Sequence, residues 1–279
     1  MFGSNNTITA IEIGTGSIKV MMGMPTDSGA MSIIGYDEIS SLNRVTKGEV
    51  INVSEVEELL SEVLNNVETV AGKRINSVYL AITGNHIQAT NVMGSVPITS
   101  ADRVVSQNDM VDTYRNAQSF NLPVEYKKIH TFQRAFLIDG NRRVNNPEGM
   151  VANKLTSDIH VIYGNNNKIQ TLCALVDDVL SVPAKEISFS GIADFHGIFM
   201  NGDHTNGVLI IDIGAGVTEY VVFYNDGCVH SGQIAVGCAL GYLDFRHAGR
   251  DWRAARPGLA AWAERLGARD SMQATLPHD

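Results

Sequence analysis

Residues 11–16 read IEIGTG, and two hundred positions later residues 211–216 read IDIGAG. In each copy an apolar run contains one acidic residue, Glu12 or Asp212, and leads to a turn with two glycines, after which a second apolar run begins. This layout is typical of a β-hairpin, and glycine, which lacks a Cβ atom, lets the backbone N–H groups of the turn converge on an anion. The repeat therefore predicts two turns that bind the phosphates of a nucleotide across a cleft, with the two acids holding the metal ion that neutralises those phosphates.

The segments around the first turn predict a sheet crossed by one helix. Three strands are expected between residues 7 and 39, and Ser54, with Glu57 three positions on, forms a capping box that opens a helix. The apolar face of this helix ends at Gly72, and residues 78–82 follow as a buried strand. The order β-β-β-α-β requires a partly parallel sheet, because a crossover helix brings the next strand in parallel to an earlier one.

The same order resumes after a long interruption. Residues 84–158 combine strand-like stretches with a modest helix at 107–120 and are interpreted as a small α+β insertion. Beyond it, a strand at 155–163 and a helix at 168–180 lead to three strands within 208–236 that repeat the opening meander. The predicted fold is therefore α/β of the actin-like (ribonuclease H-like) type, with a duplicated β-β-β-α-β core, a nucleotide between its halves and an inserted subdomain.

Composition and charge exclude several classes of protein. The formal net charge is −9 over 279 residues, which argues against a nucleic-acid-binding surface, since phosphate backbones attract clustered Lys and Arg. No segment reaches the roughly 18–20 apolar residues of a transmembrane helix, and the first residues lack a signal-peptide pattern. Cys173, Cys228 and Cys238 have neither metal-binding nor redox spacing and are interpreted as reduced thiols. These observations favour a cytoplasmic protein of about two domains.

The tail from Arg246 onward differs in composition from everything before it. It contains no Ile, Asn or Lys, six arginines, and both tryptophans, Trp252 and Trp262. An altered reading frame or a fusion that replaces the natural continuation is the favoured explanation. Two other interpretations stay open: a surface-seeking helix in which Pro257 takes the first helical position, or an ordinary packed helix.

The detailed sequence resembles the FtsA family of bacterial cell-division proteins, which are actin homologues. The likeness runs from about residue 7 to residue 239. It is carried by residues 11–20, residues 78–87, GSVPI at 94–98, HTFQ at 130–133 with NPEGM at 146–150, and DIGAGVT at 212–218. The stretch from Thr83 to about Asp158 resembles the SHS2-type subdomain inserted in this family, which general actin-like kinases and chaperones lack.

The resemblance divides the chain and assigns roles to residues of both turns. It implies an actin-like subdomain IA over 1–83 and 159–206, the inserted subdomain IC over 84–158, the start of subdomain IIA over 207–245 and an anomalous tail over 246–279. The implied cofactors are ATP and Mg²⁺. The implied nucleotide-binding residues are Gly14, Thr15, Gly16, Ser17 and Lys19 in the first turn and Gly214, Ala215, Gly216 and Thr218 in the second. Glu12 and Asp212 are the implied metal-binding residues, the latter acting through water; the alternatives are that Lys19 is a solvated strand residue and that Thr218 only fills the strand.

The catalytic residue stays unknown. Actin-like ATPases position the attacking water with a Gln or Glu near the segment that joins the two halves. Here Ser190 lies near the expected place, and Asp194 is the nearest carboxylate. The site is better suited to ATP as a conformational ligand, with at most slow hydrolysis.

The resemblance also implies partners and a location. FtsA-like proteins bind FtsZ, form actin-like filaments through the inserted subdomain, meet other divisome proteins at the septum, and attach to the cytoplasmic face of the inner membrane. The regions that bind FtsZ and the membrane are expected to be missing here, since the likeness stops near residue 240. A PilM-like pilus-assembly scaffold shares the core and a similar insertion and is one alternative. A sugar or acetate kinase is another, which the insertion disfavours.

Overall fold

The computed structural model describes residues 7–27, 29–198, 207–224, 227–233, 252–255 and 257–267. Its contacts divide the chain into two compact units, residues 1–233 and residues 234–279, which are described separately. The first unit carries both glycine turns.

A five-stranded sheet forms the centre of the first unit. Strands β1 (Ile8–Ile13), β2 (Ser17–Pro25) and β3 (Met31–Ser40) form an antiparallel meander. The short strands β4 (Val45–Thr46) and β5 (Glu49–Val50) lead to helix α1 (Val53–Ala71), after which β6 (Val78–Ile82) runs parallel to β1. This confirms the predicted β-β-β-α-β order and the partly parallel sheet.

The predicted cap of helix α1 at Ser54 is wrong, because Asn52 takes that role. Asn52 has an extended backbone, its side-chain oxygen accepts a hydrogen bond from the backbone N–H of Glu55 at 3.3 Å, and its amide donates to the Glu55 carboxylate at 2.6 Å. The pairs Asn52–Glu55 and Ser54–Glu57 have the same spacing, so the sequence holds two overlapping start signals. The helix ends at Gly72, as predicted, with a left-handed φ of 62°.

After β6 the chain builds a separate antiparallel sheet. Its strands are β7 (Ile87–Pro97), β8 (Tyr126–Ile138), β9 (Arg142–Val144) and β10 (Lys154–Asn165), in the order β7-β10-β8-β9. Helix α2 (Gln107–Gln118) packs on this sheet, and a Cβ atom at Gly94 would overlap the backbone of Ala117 in α2. Because β10 is one continuous strand to Asn165, the expected subdomain boundary between residues 158 and 159 falls inside a strand of this sheet.

The remaining described elements of the first unit extend the central sheet and form the meander of the second copy. Helix α3 (Asn166–Leu180) leads to β11 (Ala184–Phe189), which pairs parallel to β6 and gives the sheet order β11-β6-β1-β2-β3. Helix α4 (Ser190–Ile198) precedes the second antiparallel meander, β12 (Val208–Ile213), β13 (Thr218–Tyr224) and β14 (Gly227–Gln233). The predicted actin-like α/β class, with an inserted α+β subdomain, is confirmed.

A common hydrophobic core supports both meanders. Ile11 and Val20 of the first meander are buried with Leu60 of α1, and Val221 and Phe223 of the second meander belong to the same cluster. Burying side chains of this size contributes roughly 1.5–3 kcal/mol each. The two glycine turns are therefore carried by elements that pack on shared side chains.

In the second unit the described residues form helices α5 (Trp252–Ala255) and α6 (Pro257–Gly267). Helix α6 begins at Pro257, the position that suits a proline. The side chains of both tryptophans lie outside the described residues, and so does the rest of the tail. No helix within the described ranges has the length and apolarity needed to cross a membrane.

Candidate functional site

The two glycine turns have the same local geometry. The backbone N–H of Gly14 donates to the carbonyl of Ser17 at 3.0 Å, and that of Gly214 donates to the carbonyl of Val217, also at 3.0 Å. A Cβ atom would lie 3.2 Å from that carbonyl oxygen in the first turn and 3.0 Å from it in the second, which is tight in both. Since these hydrogen bonds occupy the first glycine of each turn, an anion would be bound through the N–H groups of the residues that follow.

The turns meet each other. A Cβ atom placed on Gly216 would lie 2.5 Å from Oγ1 of Thr15, and one placed on Gly16 would lie 3.2 Å from the Cβ atom of Ala215. The four residues belong to opposite halves of the repeat. Glycine is needed at position 216 because any larger residue would collide with Thr15 unless that side chain rotates away.

Residues outside the turns hold the first turn in place. The hydroxyl of Ser41 donates to the carbonyl of Gly14 at 2.6 Å, and the backbone N–H of Ser41 donates to the carbonyl of Gly16 at 3.2 Å. The hydroxyl of Thr15 accepts a hydrogen bond from the backbone N–H of Gly48 at 3.3 Å. The side chain of Thr15 therefore contacts the β4–β5 connection and the second turn at once.

Lys19 and Glu12 form an ion pair beside the first turn. They are cross-strand partners in β1 and β2, and their charged atoms lie 3.0 Å apart, with about half of the lysine side chain accessible to solvent. Burial disfavours the charged form of Lys19, but Glu12, Glu38 and Asp212 outweigh it, so the pKa of Lys19 is raised. The lysine therefore stays charged and can act as a point charge for a phosphate.

Three further carboxylates lie close to this pair. Burial and the charge of Glu12 raise the pKa of Asp212. Burial, followed by the charges of Asp212, Glu12 and Glu219, raises the pKa of Asp194 to about 6. The structure thus brings Asp194, which follows the start of α4, into the electrostatic field of the metal-binding acids expected from the repeat.

The chemistry of these acids fits a hydrated cation. Within the described ranges, no three His, Cys, Asp or Glu side chains converge closely enough to bind a metal ion directly. Mg²⁺ keeps several of its water molecules in most protein sites and is bound through one or two carboxylates and substrate phosphates. Glu12 and Asp212 are suited to that type of binding.

Glu219 is a residue that sequence reasoning missed. It is the cross-strand partner of Asp212 in β12 and β13 and is 1% exposed. The equivalent pair in the first meander is Glu12 and Lys19, so Glu219 occupies the position that a lysine has in the first copy. Its carboxylate accepts hydrogen bonds from the backbone N–H of Gly84 at 3.1 Å and from the hydroxyl of Ser190 at 2.5 Å. The proton of the Ser190 hydroxyl is therefore used in a hydrogen bond to Glu219.

Thr218 lies on the other face of its strand. It pairs with Ile213 and is 7% exposed, and the equivalent position in the first meander is Ile18, which is fully buried against α1 and its neighbours. Successive side chains of a strand point to opposite faces, so the Thr218 side chain points away from that of Glu219. This supports its interpretation as a strand filler, and its contact with a phosphate stays a prediction.

Comparison with known proteins identifies the insertion. The family model described as "SHS2 domain inserted in FTSA" matches residues 84–163. A second model, for the C-terminal domain of glutathione S-transferase, matches residues 216–265. That second match starts inside the second glycine turn and extends across the change in composition at Arg246. It therefore does not mark the residue at which a fused or frameshifted tail would begin.

Curated relatives match most of the chain. Cell division protein FtsA of Borreliella burgdorferi is 25% identical over 243 residues, which cover 87% of this chain and 58% of that protein. FtsA of Escherichia coli K12 is 25% identical over 224 residues, covering 80% and 52%, and FtsA of Pseudomonas aeruginosa is 27% identical over 240 residues, covering 84% and 55%. The chain spans about half the length of the curated relatives it matches.

A solved structure supports the fold. The PilM-PilN type IV pilus biogenesis complex is similar with a TM-score of 0.54 and 12% identity, covering 92% of this chain and 68% of that chain. At this identity the likeness shows a shared fold alone. The matched insertion, the FtsA relatives over at least 80% of the chain and the repeated meander with its two glycine turns agree, and this chain is similar to the FtsA proteins of bacterial cell division.

Proposed function

We propose that this chain is an ATP-binding actin homologue of bacterial cell division, with the phosphates of the nucleotide bound between its two glycine turns. The contact between Gly216 and Thr15 carries the proposal, because it brings the two copies of the repeat to one place. A phosphate chain at that place would meet backbone N–H donors from both copies.

The charges around the turns suit a magnesium nucleotide. Lys19 would contact the β- and γ-phosphates as a point charge, and Glu12 and Asp212 would hold Mg²⁺ through its water molecules. Because Asp194 and Glu219 add to the negative field, one lysine does not balance the local carboxylates. A polyphosphate should therefore bind much more weakly without a divalent cation.

The cellular role is inferred from the relatives, which are named cell division protein FtsA. Such a protein would link FtsZ to the cytoplasmic membrane at the septum, together with other divisome proteins. The resemblance assigns FtsZ binding and membrane attachment to the part of the relatives that this chain does not match. The present chain would contribute both phosphate-binding turns and the insertion through which filaments form in the cytoplasm.

ATP would act mainly as a conformational ligand. Neither candidate is the Gln or Glu that positions the attacking water in actin-like ATPases: Asp194 is a shorter carboxylate, and its pKa of about 6 is set by burial and by the charges of Asp212 and Glu12. Ser190, the other candidate, is hydrogen-bonded to Glu219. Slow hydrolysis at most is therefore proposed.

Isothermal titration calorimetry with ATP, in the presence and absence of Mg²⁺, tests nucleotide binding. Gly216→Val should weaken Mg-ATP binding by about tenfold or more, because the new side chain collides with Thr15 and takes the place proposed for the phosphates. Gly197→Ala is the matched control, since a Cβ atom there meets no atom within 4 Å. Equal affinity of the Gly216→Val variant and the wild type would show that ATP does not bind between the turns.

Co-purification tests the cellular role. The full chain should be compared with a full-length FtsA relative, using FtsZ as one bait and a pilus-assembly membrane protein as another. Retention of FtsZ by the relative alone would support the proposal that FtsZ binds the part of the relative that this chain does not match. Selective retention of the pilus protein by this chain would instead support the PilM-like alternative.

A further inference from the structure

We infer that Glu219 is a positioning residue that links the second glycine turn to the first residue of the SHS2 insertion, so that nucleotide binding changes the mobility of the insertion. This inference rests on the proposed nucleotide site. Glu219 would connect that site to the sheet of the insertion, and it would contact neither the phosphates nor the metal ion.

The first step is the burial of the Glu219 carboxylate. A carboxylate that is 1% exposed needs hydrogen-bond partners to offset the loss of water. Its two oxygens are bound by separate segments: Oε1 by the backbone N–H of Gly84, and Oε2 by the hydroxyl of Ser190. Glu219 therefore joins the second meander to the start of the insertion and to the start of α4.

The second step is the position of Gly84. Its backbone φ of 135° is accessible to glycine, and a Cβ atom there would lie 2.8 Å from the carbonyl of Lys47 and 3.0 Å from Cα of Gly48. Gly48, with a φ of 75°, would in turn overlap the carbonyl of Thr83 if it carried a Cβ atom. The β4–β5 connection and the start of the insertion are thus packed backbone against backbone.

Two routes consequently converge on Gly84. One runs from the second turn through Glu219 to the N–H of Gly84. The other runs from the first turn, where the hydroxyl of Thr15 binds the N–H of Gly48, which packs against Gly84. Both turns are therefore fastened to one residue at the base of the insertion.

The third step is what a ligand would do to this arrangement. Gly216 and Thr15 already touch, so a phosphate bound between the turns must move them apart. Movement of either turn would displace the groups that contact Gly84, because the second turn reaches it through Glu219 and the first through Gly48. Occupancy of the turns and order at the start of the insertion would then be linked by a coupling free energy, which acts equally in both directions.

Hydrogen exchange of the full chain, with and without Mg-ATP, tests the inference. In the wild type, Mg-ATP should slow exchange by about twofold or more in peptides that cover the two turns, and it should also change exchange in peptides that cover residues 82–90. In Glu219→Leu, which keeps a similar volume but has no acceptor for the N–H of Gly84, the response of the turns should persist and the response of residues 82–90 should fall by half or more. Ser190→Ala, which leaves the Gly84 hydrogen bond intact, should retain most of both responses.

The control removes a similar hydrogen bond elsewhere. Ser95→Ala deletes the bond of 2.8 Å between the hydroxyls of Ser95 and Thr156 within the insertion and should leave every nucleotide response unchanged. A purely structural role of Glu219 would raise exchange at residues 82–90 equally with and without nucleotide, which would overturn the inference. A wild-type response confined to the turns would also overturn it while sparing the proposed nucleotide site, whereas no response at the turns would remove both. Should Glu219→Leu fail to fold, Glu219→Asp, whose shorter carboxylate cannot reach both Gly84 and Ser190 as Glu219 does, tests the inference with the same readout and the same outcomes.

Discussion

His130 and Phe189 connect the insertion to the segment between the two halves of the core: Nε2 of His130 accepts a hydrogen bond from the backbone N–H of Phe189 at 3.0 Å. Phe189 ends β11 and immediately precedes α4, so the contact lies at the point where the chain turns towards the second meander. Burial, together with the nearby His196, lowers the pKa of His130 to about 4. The imidazole is therefore neutral at physiological pH, with its proton on Nδ1, and can accept this hydrogen bond.

Two replacements of His130 should distinguish the contribution of its hydrogen bond to stability from the contribution of its packing. His130→Leu should lower the free energy of unfolding by about 1–3 kcal/mol, because the N–H of Phe189 loses its acceptor in a largely buried place. His130→Gln, which offers a carbonyl oxygen, should recover part of that loss. Urea denaturation measures both. Equal stability of the Leu and Gln variants would show that the hydrogen bond contributes nothing and that only packing matters.

The stability of the protein should decrease on mild acidification. Burial lowers the pKa of His86, His130 and His160 to about 4, below the value of 6.5 expected in the unfolded chain. Between these values the unfolded state binds more protons, so stability is fully present above pH 6.5 and is lost as the pH falls from about 6.5 to about 4. Asp194, whose pKa is raised to about 6, acts in the opposite sense, since its folded form binds the proton more tightly.

The three histidines should outweigh Asp194 and Asp212, the two aspartates whose pKa is raised, so the midpoint of urea unfolding should fall as the pH is lowered through this window. His160→Gln should reduce the slope, because one group with a depressed pKa is removed; Gln can still serve the hydrogen bonds that His160 makes with Asn91 and Ser231. A midpoint that rises on acidification, or an unchanged slope in the variant, would contradict the assignment.

Asp158 should be the most costly single charge to remove from the insertion. Its carboxylate is 1% exposed and pairs with Nη1 of Arg134 at 3.1 Å and with Nη1 of Arg143, also at 3.1 Å. Asp158→Asn would leave two guanidinium groups without their counter-charge and should cost about 3–5 kcal/mol of unfolding free energy. Arg143→Ala, which removes a half-exposed partner and leaves Arg134 in place, should cost less than half as much. Similar costs for the two variants, measured by urea denaturation, would refute the buried-pair explanation.

The sequence predicted the features that depend on local pattern. The two turns could be recognised because glycine, acid and apolar residues recur at a fixed offset of two hundred positions, and the meander order followed from apolar runs of strand length. The cap at Ser54 was wrongly chosen because Asn52 offers an equal signal two residues earlier. Local rules rank both residues as good caps, and the packing of the helix on β2 and β3 selects between them.

The long-range partners could not be predicted. Glu219 binds Gly84 across 135 positions, and no periodic pattern predicts which backbone N–H a buried carboxylate will meet. One signal was available, however: the offset of two hundred positions makes Thr218 the equivalent of Ile18 in the first copy, and Glu219 the equivalent of Lys19. Applied residue by residue, that offset would have assigned Thr218 to the apolar face and directed attention to Glu219.

Lys19 provides the sharpest test of the site. Its ammonium lies 3.0 Å from the carboxylate of Glu12. The positive charge of Lys19 also acts to lower the pKa of Asp212 and of Asp194, against the effect of burial. Lys19→Gln should weaken Mg-ATP binding by about tenfold, equivalent to about 1.4 kcal/mol, while Lys19→Arg, which keeps the charge, should lose less. Lys185→Gln is the control, because Lys185 is exposed and its ammonium lies over the ring of Tyr79 at 5.5 Å. Calorimetric titration of the three variants measures the difference, and an unchanged affinity in Lys19→Gln would leave Lys19 as a solvated strand residue whose only partner of consequence is Glu12.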